Sequence, residues 1–166
     1  MSTVNGLPAH VLLVHIVVVL VPLAALALVT AALWPRAARR LGILLPVLAL
    51  VALVSVPLTT QAGEWLEGHV TDDALVRRHT ELGDGLLPWA LGLFALATVV
   101  WWARRRGGPE ADGNAGGRLS ALPVRIVVGV LSVAVAAGAV VDVYRIGDSG
   151  AKAAWHDAYA KTAQGS

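Results

Sequence analysis

Four long apolar segments dominate the sequence and restrict the folds open to it. They cover residues 9–34, 41–60, 86–102 and 124–146. Crossing the hydrocarbon core of a bilayer takes a helix of roughly 17 to 25 residues, and each segment is about that long. Lipid offers no partner to a backbone N–H or C=O group, so each segment has to be helical. The sequence therefore predicts an all-α fold, an integral membrane four-helix bundle.

The composition narrows the chemistry open to this bundle. Hydrophobic residues make up 57% of the chain and charged residues 14%, whereas a soluble domain has about 25% charged residues. The net charge of +2 gives no reason to expect a nucleic-acid partner. The absence of cysteine excludes disulfides and thiolate metal or iron–sulphur sites. A metal or haem would need histidine or carboxylate ligands, because Met1 is the only methionine.

Charged residues in the connections predict the orientation. Arginines in short connections favour the cytoplasmic side. The first and third connections carry Arg36, Arg39, Arg40, Arg104, Arg105, Arg106 and Arg118. The second connection, 61–84, has six acidic residues against two arginines and is predicted to lie outside. Both termini are then extracytoplasmic.

The remaining connections differ in character. Segment 61–84 is predicted to contain a short helix whose apolar face carries His79. Segment 104–122 is glycine-rich and is predicted to be a flexible cytoplasmic loop. It lacks the Gly-Lys-Ser/Thr of a phosphate loop, so no nucleotide is expected. Segment 151–163 is either an interfacial helix or a frayed tail. No internal repeat is apparent in the sequence.

The polar residues of the apolar segments collect at the predicted outer end. Ionisable groups inside a span are costly and are therefore candidates for a site. Asp142 is about 6 Å from the end of its segment, at about 1.5 Å per residue. His15 is the deepest histidine of the first segment. A secondary polar layer at similar depth consists of Ser55, Thr59, His10 and Arg145.

Two histidines open the first segment, and only one of them can face the bundle. His10 and His15 are five residues apart, which is about 140° on a regular helix. His15 lies deeper, so we expect it to face inward and His10 to mark the membrane boundary. With His79 it would form a pair suited to a b-type haem or a quinone in the outer leaflet. The alternatives are a metal or proton site of histidine and carboxylate, or histidines with a structural role alone.

Asp142 stands among valines and should avoid lipid by facing the bundle. Arg145, three residues later, could pair with it along the helix. Alternatively, Asp142 orients His15 across the bundle or relays a proton to it. The sequence leaves both pairings open. No serine has a nucleophile-elbow motif, so no catalytic residue is predicted, and whether the chain is an enzyme stays open.

Three short motifs resemble those of a bacterial membrane family called domain of unknown function 2231. The stretch His10–His15 resembles the family's opening His-Pro-x-x-Val-His-Phe-Pro, and Arg78-His79 is similar to its Arg-x-His before the third span. Residues 144–150 resemble its closing Tyr-x-x-Gly segment. The chain departs from the family at Val11, Ile16 and Val17, where the family has Pro, Phe and Pro. The resemblance covers nearly the whole chain and implies a multi-pass protein of the bacterial cytoplasmic (inner) membrane.

Some members of that family occur beside Rieske-type iron–sulphur domains, which implies an electron-transfer neighbourhood. We therefore expect a redox-associated module with an outer-leaflet haem b or quinone site held by His15 and His79, with Asp142 as the orienting or proton-relaying group. Its expected partners are the lipid bilayer and either a redox protein or further copies of the chain. The alternative is a non-catalytic structural or partner-binding subunit, which the small residues around Ala134-x-x-x-Gly138 favour. Outer-leaflet proton or ion handling through Asp142 and His15 is a third hypothesis.

Overall fold

A computed structural model describes residues 3–4, 7–67, 74–106 and 122–163. The described chain forms six helices: α1 (Ala9–Leu33), α2 (Pro35–Leu41), α3 (Leu44–Glu67), α4 (Ala74–Asp84), α5 (Leu86–Arg106) and α6 (Leu122–Ala163). A two-residue antiparallel pair, β1 (Thr3–Val4) and β2 (Leu7–Pro8), precedes α1. Residues 151–163 continue α6, which is a single helix from Leu122 to Ala163.

Four helical stretches are long and apolar enough to cross a membrane. They are Leu12–Leu33, Leu44–Trp65, Arg77–Arg106 and Leu122–Lys152. The first, second and fourth lie within α1, α3 and α6, and the third combines the end of α4 with α5. The all-α fold with four spans is therefore confirmed. The side of the membrane that each end faces stays a prediction.

The four long helices pack as a ring of antiparallel neighbours. Helix α1 packs against α3 and α6, and α5 packs against the same two helices from the other side. Helix α4 lies mainly on α6. The start of α1, the end of α3, α4 and residues 142–152 of α6 share one end of the bundle, called here the histidine end. Helix α2, the end of α5 and the start of α6 lie at the opposite end, called here the arginine end.

Buried positions of α1 recur in α4 and α5 at a constant distance along the chain. In α1, His10 is followed by the buried residues Val17, Val21, Ala24, Leu28 and Ala31. His79 is followed by the buried residues Leu86, Ala90, Leu93, Ala97 and Val100. Each residue of the second set follows its counterpart by 69 positions. Steps of three and four are expected of any packed helix, so the histidine that begins each set is the informative part.

The buried positions of α3 likewise recur in α6, 87 residues later in the sequence. The buried residues Ala49, Ala52 and Val56 correspond to the buried residues Ala136, Ala139 and Val143. Gly63 corresponds to Gly150, and Ser55 corresponds to Asp142. Both odd-numbered spans run from the histidine end to the arginine end, and both even-numbered spans run back. The bundle can therefore be divided into two halves, α1–α3 and α4–α6, whose buried positions correspond at these distances, although α2 has no counterpart in the second half.

Candidate functional site

His10 lies in the first turn of α1 and faces α3. It precedes Val17, Ala24 and Ala31 by seven, fourteen and twenty-one residues, so it continues the stripe with which α1 faces the core. Its Nδ1 lies 3.1 Å from the backbone carbonyl oxygen of Thr59. A carbonyl oxygen only accepts hydrogen bonds, so the hydrogen of the His10 ring is on Nδ1.

His79 lies on α4 and is anchored to α6 in the same manner. Its Nδ1 lies 3.1 Å from the Ile146 carbonyl oxygen and 3.0 Å from Ser149 Oγ. Ser149 Oγ donates its own hydrogen to the Ile146 oxygen over 2.9 Å, so it accepts from the histidine. The Nδ1 hydrogen of His79 is therefore shared between two acceptors on α6.

A glycine makes room for each imidazole. Gly63 follows Thr59 by four residues, and Gly150 follows Ile146 by four residues. A Cβ atom at Gly63 would lie 3.0 Å from Cε1 of His10, and one at Gly150 would lie 2.9 Å from Cε1 of His79. Because glycine has no side chain, each ring can lie against its partner helix and reach the carbonyl one turn away.

The two imidazoles meet at the histidine end of the bundle. Their ring centroids are 6.1 Å apart, and their planes are inclined at 85°. Since both Nδ1 atoms carry hydrogen, each neutral ring has its lone pair on Nε2. Within the described ranges, neither Nε2 atom has a hydrogen-bond partner. The arrangement presents two lone pairs to a metal centre or to hydroxyl donors.

His15 lies on another face of α1 from His10. It is exposed and precedes Val19, Leu26 and Leu33 by four, eleven and eighteen residues, which places all four within about 40° of one another. Those three are 60–65% exposed and lie on the outer face of the bundle. The structure therefore places His10, and not His15 as expected, on the side of α1 that faces the bundle. Depth suggested His15, but rotation about the helix axis decides which side chain faces inward.

Asp142 forms neither of the expected pairs. The residue is half-buried, and its Oδ2 is fully buried without a hydrogen-bond partner among the described residues. A Cβ atom at Gly85 would lie 3.5 Å from that oxygen, so Asp142 packs against the turn between α4 and α5. Arg145 is exposed and close enough to attract the carboxylate, but it makes no ion pair with it. Because Oδ2 has no partner among the described residues, it is not bonded to His15.

The two hydroxyl groups of the secondary polar layer have their hydrogen-bond partners inside α3. Ser55 Oγ donates to the Ala52 carbonyl over 2.7 Å, and Thr59 Oγ1 donates to the Ser55 carbonyl over 2.7 Å. Ser55 is the counterpart of Asp142 in the first half of the chain. The two halves therefore differ at this position. Ser55 has a hydrogen-bond partner, whereas Oδ2 of Asp142, at the corresponding position of the second half, has none among the described residues.

The described residues include no group of three or more histidine, cysteine or acidic side chains that could hold a metal ion. A metal site with three or four protein ligands is therefore not found in the described ranges. The candidate site consists of two imidazoles. Sequence reasoning missed four of the residues that build it, namely Gly63, Ile146, Ser149 and Gly150. The identical spacing from Thr59 to Gly63 and from Ile146 to Gly150 would have been the signal, but it is visible only once the facing helices are known.

The fold is that of a helical membrane protein with four candidate spans, and two imidazoles meet at one end of its bundle. The chain belongs to the family described as predicted membrane protein (DUF2231), whose family model matches residues 6–163. This match confirms the resemblance found in the short motifs. Comparison with curated proteins and with solved structures finds no match.

Proposed function

We propose that this protein is a redox-associated membrane module that binds a b-type haem or a quinone between His10 and His79. The proposed location is the outer leaflet of a bacterial inner membrane, beside a redox protein or further copies of the chain. The observation that carries the proposal is the anchoring of both Nδ1 atoms to backbone carbonyls. A histidine ligand is commonly oriented by such a hydrogen bond, which fixes the ring and leaves Nε2 for the ligand.

The donor set fits a haem iron. The ring centroids are 6.1 Å apart, so one bound group could contact both imidazoles. Neutral imidazoles would be suitable ligands for the iron, and the two rings come from α1 and α4, one in each half. A bound haem would supply one-electron transfer. The protein would contribute the ligands, their fixed orientation and an apolar surrounding.

The same donor set fits a quinone in its reduced form. A hydroquinone presents two hydroxyl groups, and an Nε2 lone pair accepts a hydrogen bond from such a group. The adjacent spans provide an apolar surface for the ring and tail of the molecule. The two versions share His10 and His79 and differ in spectroscopy, so one preparation distinguishes them.

In this proposal Asp142 supplies the proton-exchanging group. It precedes Ser149 by seven residues on α6, which places it on the same face about 10 Å deeper. That distance is too long for a hydrogen bond to His79, so the orienting role expected for Asp142 gives way to proton uptake and release. The carboxyl group is suited to this role because its Oδ2 has no hydrogen-bond partner among the described residues and can therefore take up a proton without breaking a hydrogen bond.

A structural role is the second candidate, and a specific observation favours it. The His10–Thr59 bond joins α1 to α3, and the His79–Ile146 bond joins α4 to α6. Each of these hydrogen bonds is worth about 1 kcal/mol. The histidines would then hold the helices together at this end of a non-catalytic subunit, without binding a ligand.

Asparagine variants separate the two candidates. The asparagine amide nitrogen is bonded to Cγ, as Nδ1 of histidine is, so His10→Asn and His79→Asn retain a donor for the carbonyl and remove Nε2. Purified protein expressed with haem supply should show a Soret band, or else bind a quinone in titrations. Both asparagine variants should lose that binding and keep their stability, whereas His15→Asn should retain both.

The opposite result would favour the structural role. If the native protein shows neither a Soret band nor quinone binding, the ligand proposal is wrong. Alanine variants of His10 and His79 that unfold more easily, combined with asparagine variants as stable as the native protein, would then identify the histidines as links between helices.

A further inference from the structure

Arginines from three helices gather at the arginine end, where the described ranges contain no acidic residue. Helices α2, α5 and α6 contribute Arg36, Arg39, Arg40, Arg104, Arg105, Arg106 and Arg125. Within the described ranges, every aspartate and glutamate lies towards the histidine end. An excess of positive charge at one end of a membrane bundle attracts anions from the lipid surface.

Two of these arginines are held by tryptophans on α5. The guanidinium of Arg105 lies 5.5 Å from the ring centroid of Trp101, and that of Arg106 lies 3.9 Å from the ring centroid of Trp102. Contacts of this kind stabilise the cation on the aromatic face. Tryptophan is typical of the boundary between hydrocarbon and headgroups, so these pairs mark the headgroup level on α5.

Three other arginines lie on helices that pack together at this end, since α5, which carries Arg104, packs against α2, which carries Arg39, and against α6, which carries Arg125. Arg104 is half-buried, and Arg39 and Arg125 are close enough to repel its charge. No ion pair with a carboxylate relieves this repulsion among the described residues. Three positive charges brought together at the edge of an apolar bundle repel one another, and an anion bound between them would relieve that repulsion.

We propose that Arg39, Arg104 and Arg125 bind the phosphate headgroup of an anionic phospholipid. Guanidinium groups bind phosphate oxygens through paired hydrogen bonds, which a half-buried Arg104 can supply beside two more exposed arginines. The neighbouring surface suits acyl chains, because Leu33 and Leu122 are 60% and 68% exposed. Helices α1 and α6 are in contact there, since a Cβ at Gly129 would lie 3.8 Å from Leu33. A free phosphate ion would gain nothing from this apolar surface.

The experiment compares lipids on the purified full-length protein. Protein is reconstituted in nanodiscs of phosphatidylcholine, with and without phosphatidylglycerol or cardiolipin, and lipid retention is measured by native mass spectrometry. Arg104→Gln should reduce retention of the anionic lipids about fivefold, the effect expected for one arginine near an anionic surface. Arg104→Lys keeps the charge but loses the paired hydrogen bonds of the guanidinium group. Its retention of the anionic lipids should lie between that of the native protein and that of Arg104→Gln. Arg40→Gln, on α2, is the matched control and should have a smaller effect.

Two results would overturn the proposal. One is equal retention of phosphatidylcholine and the anionic lipids by the native protein. The other is displacement of the anionic lipids by inorganic phosphate at matched ionic strength, which would assign the arginines to a free anion. If Arg104→Gln does not fold, the Arg104→Lys and Arg125→Gln variants test the same contacts, and unchanged retention in both contradicts the proposal.

Discussion

Replacing Gly150 by alanine tests the anchoring of His79 directly. The new Cβ would lie 2.9 Å from Cε1 and 3.3 Å from Nδ1 of the ring, so the imidazole has to move. Its hydrogen bonds to Ile146 and Ser149, at 3.1 and 3.0 Å, would then be lost or lengthened. The lost bond costs about 1 kcal/mol, and crowding costs about 1–3 kcal/mol. The higher helix propensity of alanine offsets about 1 kcal/mol, which leaves a net loss of about 1–3 kcal/mol.

Gly147→Ala is the matched control for this prediction. Gly147 lies on the same helix and is exposed, and no atom lies within 4 Å of a Cβ placed there. This variant should gain about 0.5–1 kcal/mol from helix propensity alone. Unfolding of both variants in mixed micelles, followed by tryptophan fluorescence, measures the difference. Equal stabilisation by the two substitutions would refute the reasoning, because the ring would then not depend on the absence of a side chain at Gly150.

Three further substitutions and one control substitution test other parts of the fold. Gly63→Ala should destabilise the first half in the same manner, since its Cβ would lie 3.0 Å from His10 Cε1; stability equal to the native protein would show that His10 is not held there. Gly138→Ala should cost about 3 kcal/mol, because its Cβ would overlap the Trp89 ring, and an unchanged unfolding midpoint would contradict that packing. Asp142→Ser introduces the residue found at the equivalent position of the first half. It should raise the free energy of unfolding by about 1–3 kcal/mol, since it removes a buried acceptor without a partner. Asp148→Ser, which breaks an exposed ion pair with Lys152, should change stability by less than about 1 kcal/mol. A destabilised Asp142→Ser variant would indicate that the carboxylate has a partner.

The spans could be predicted because lipid imposes a simple requirement. A helix that crosses the bilayer must be long and apolar, and this property is visible in the sequence without knowledge of its neighbours. The position of His79 on the apolar side of a short helix followed from local periodicity as well. In the structure that face of α4 packs on α6, where His79 reaches the Ile146 carbonyl.

The direction of the first histidine could not be predicted from its depth. His10 and His15 differ in the face of α1 on which they lie, and α1 is apolar all round, so hydrophobicity does not identify its inner face. The seven-residue spacing from His10 to Val17, Ala24 and Ala31 carries that information. It becomes meaningful only when small residues are recognised as the packing side of a membrane helix, where backbones approach closely.

The correspondence of buried positions between the two halves could not be predicted for a related reason. Positions inside the bundle require small or apolar side chains of suitable size, and Val17 and Leu86 satisfy the same position equally well. The residues that align the two halves are the ones with specific chemistry, namely the paired histidines and the glycines Gly63 and Gly150. The pairing of each histidine with its glycine depends on tertiary contacts, which a single sequence does not display.

The contact between the two imidazoles has a consequence for assembly. Each half of the bundle contains one histidine together with the carbonyl and the glycine that orient it, so each half prepares its own ring. The 6.1 Å contact, however, exists only when α1 and α4 are brought side by side. A ligand bound by both rings would link the two halves. Its binding would therefore indicate that the whole bundle has assembled.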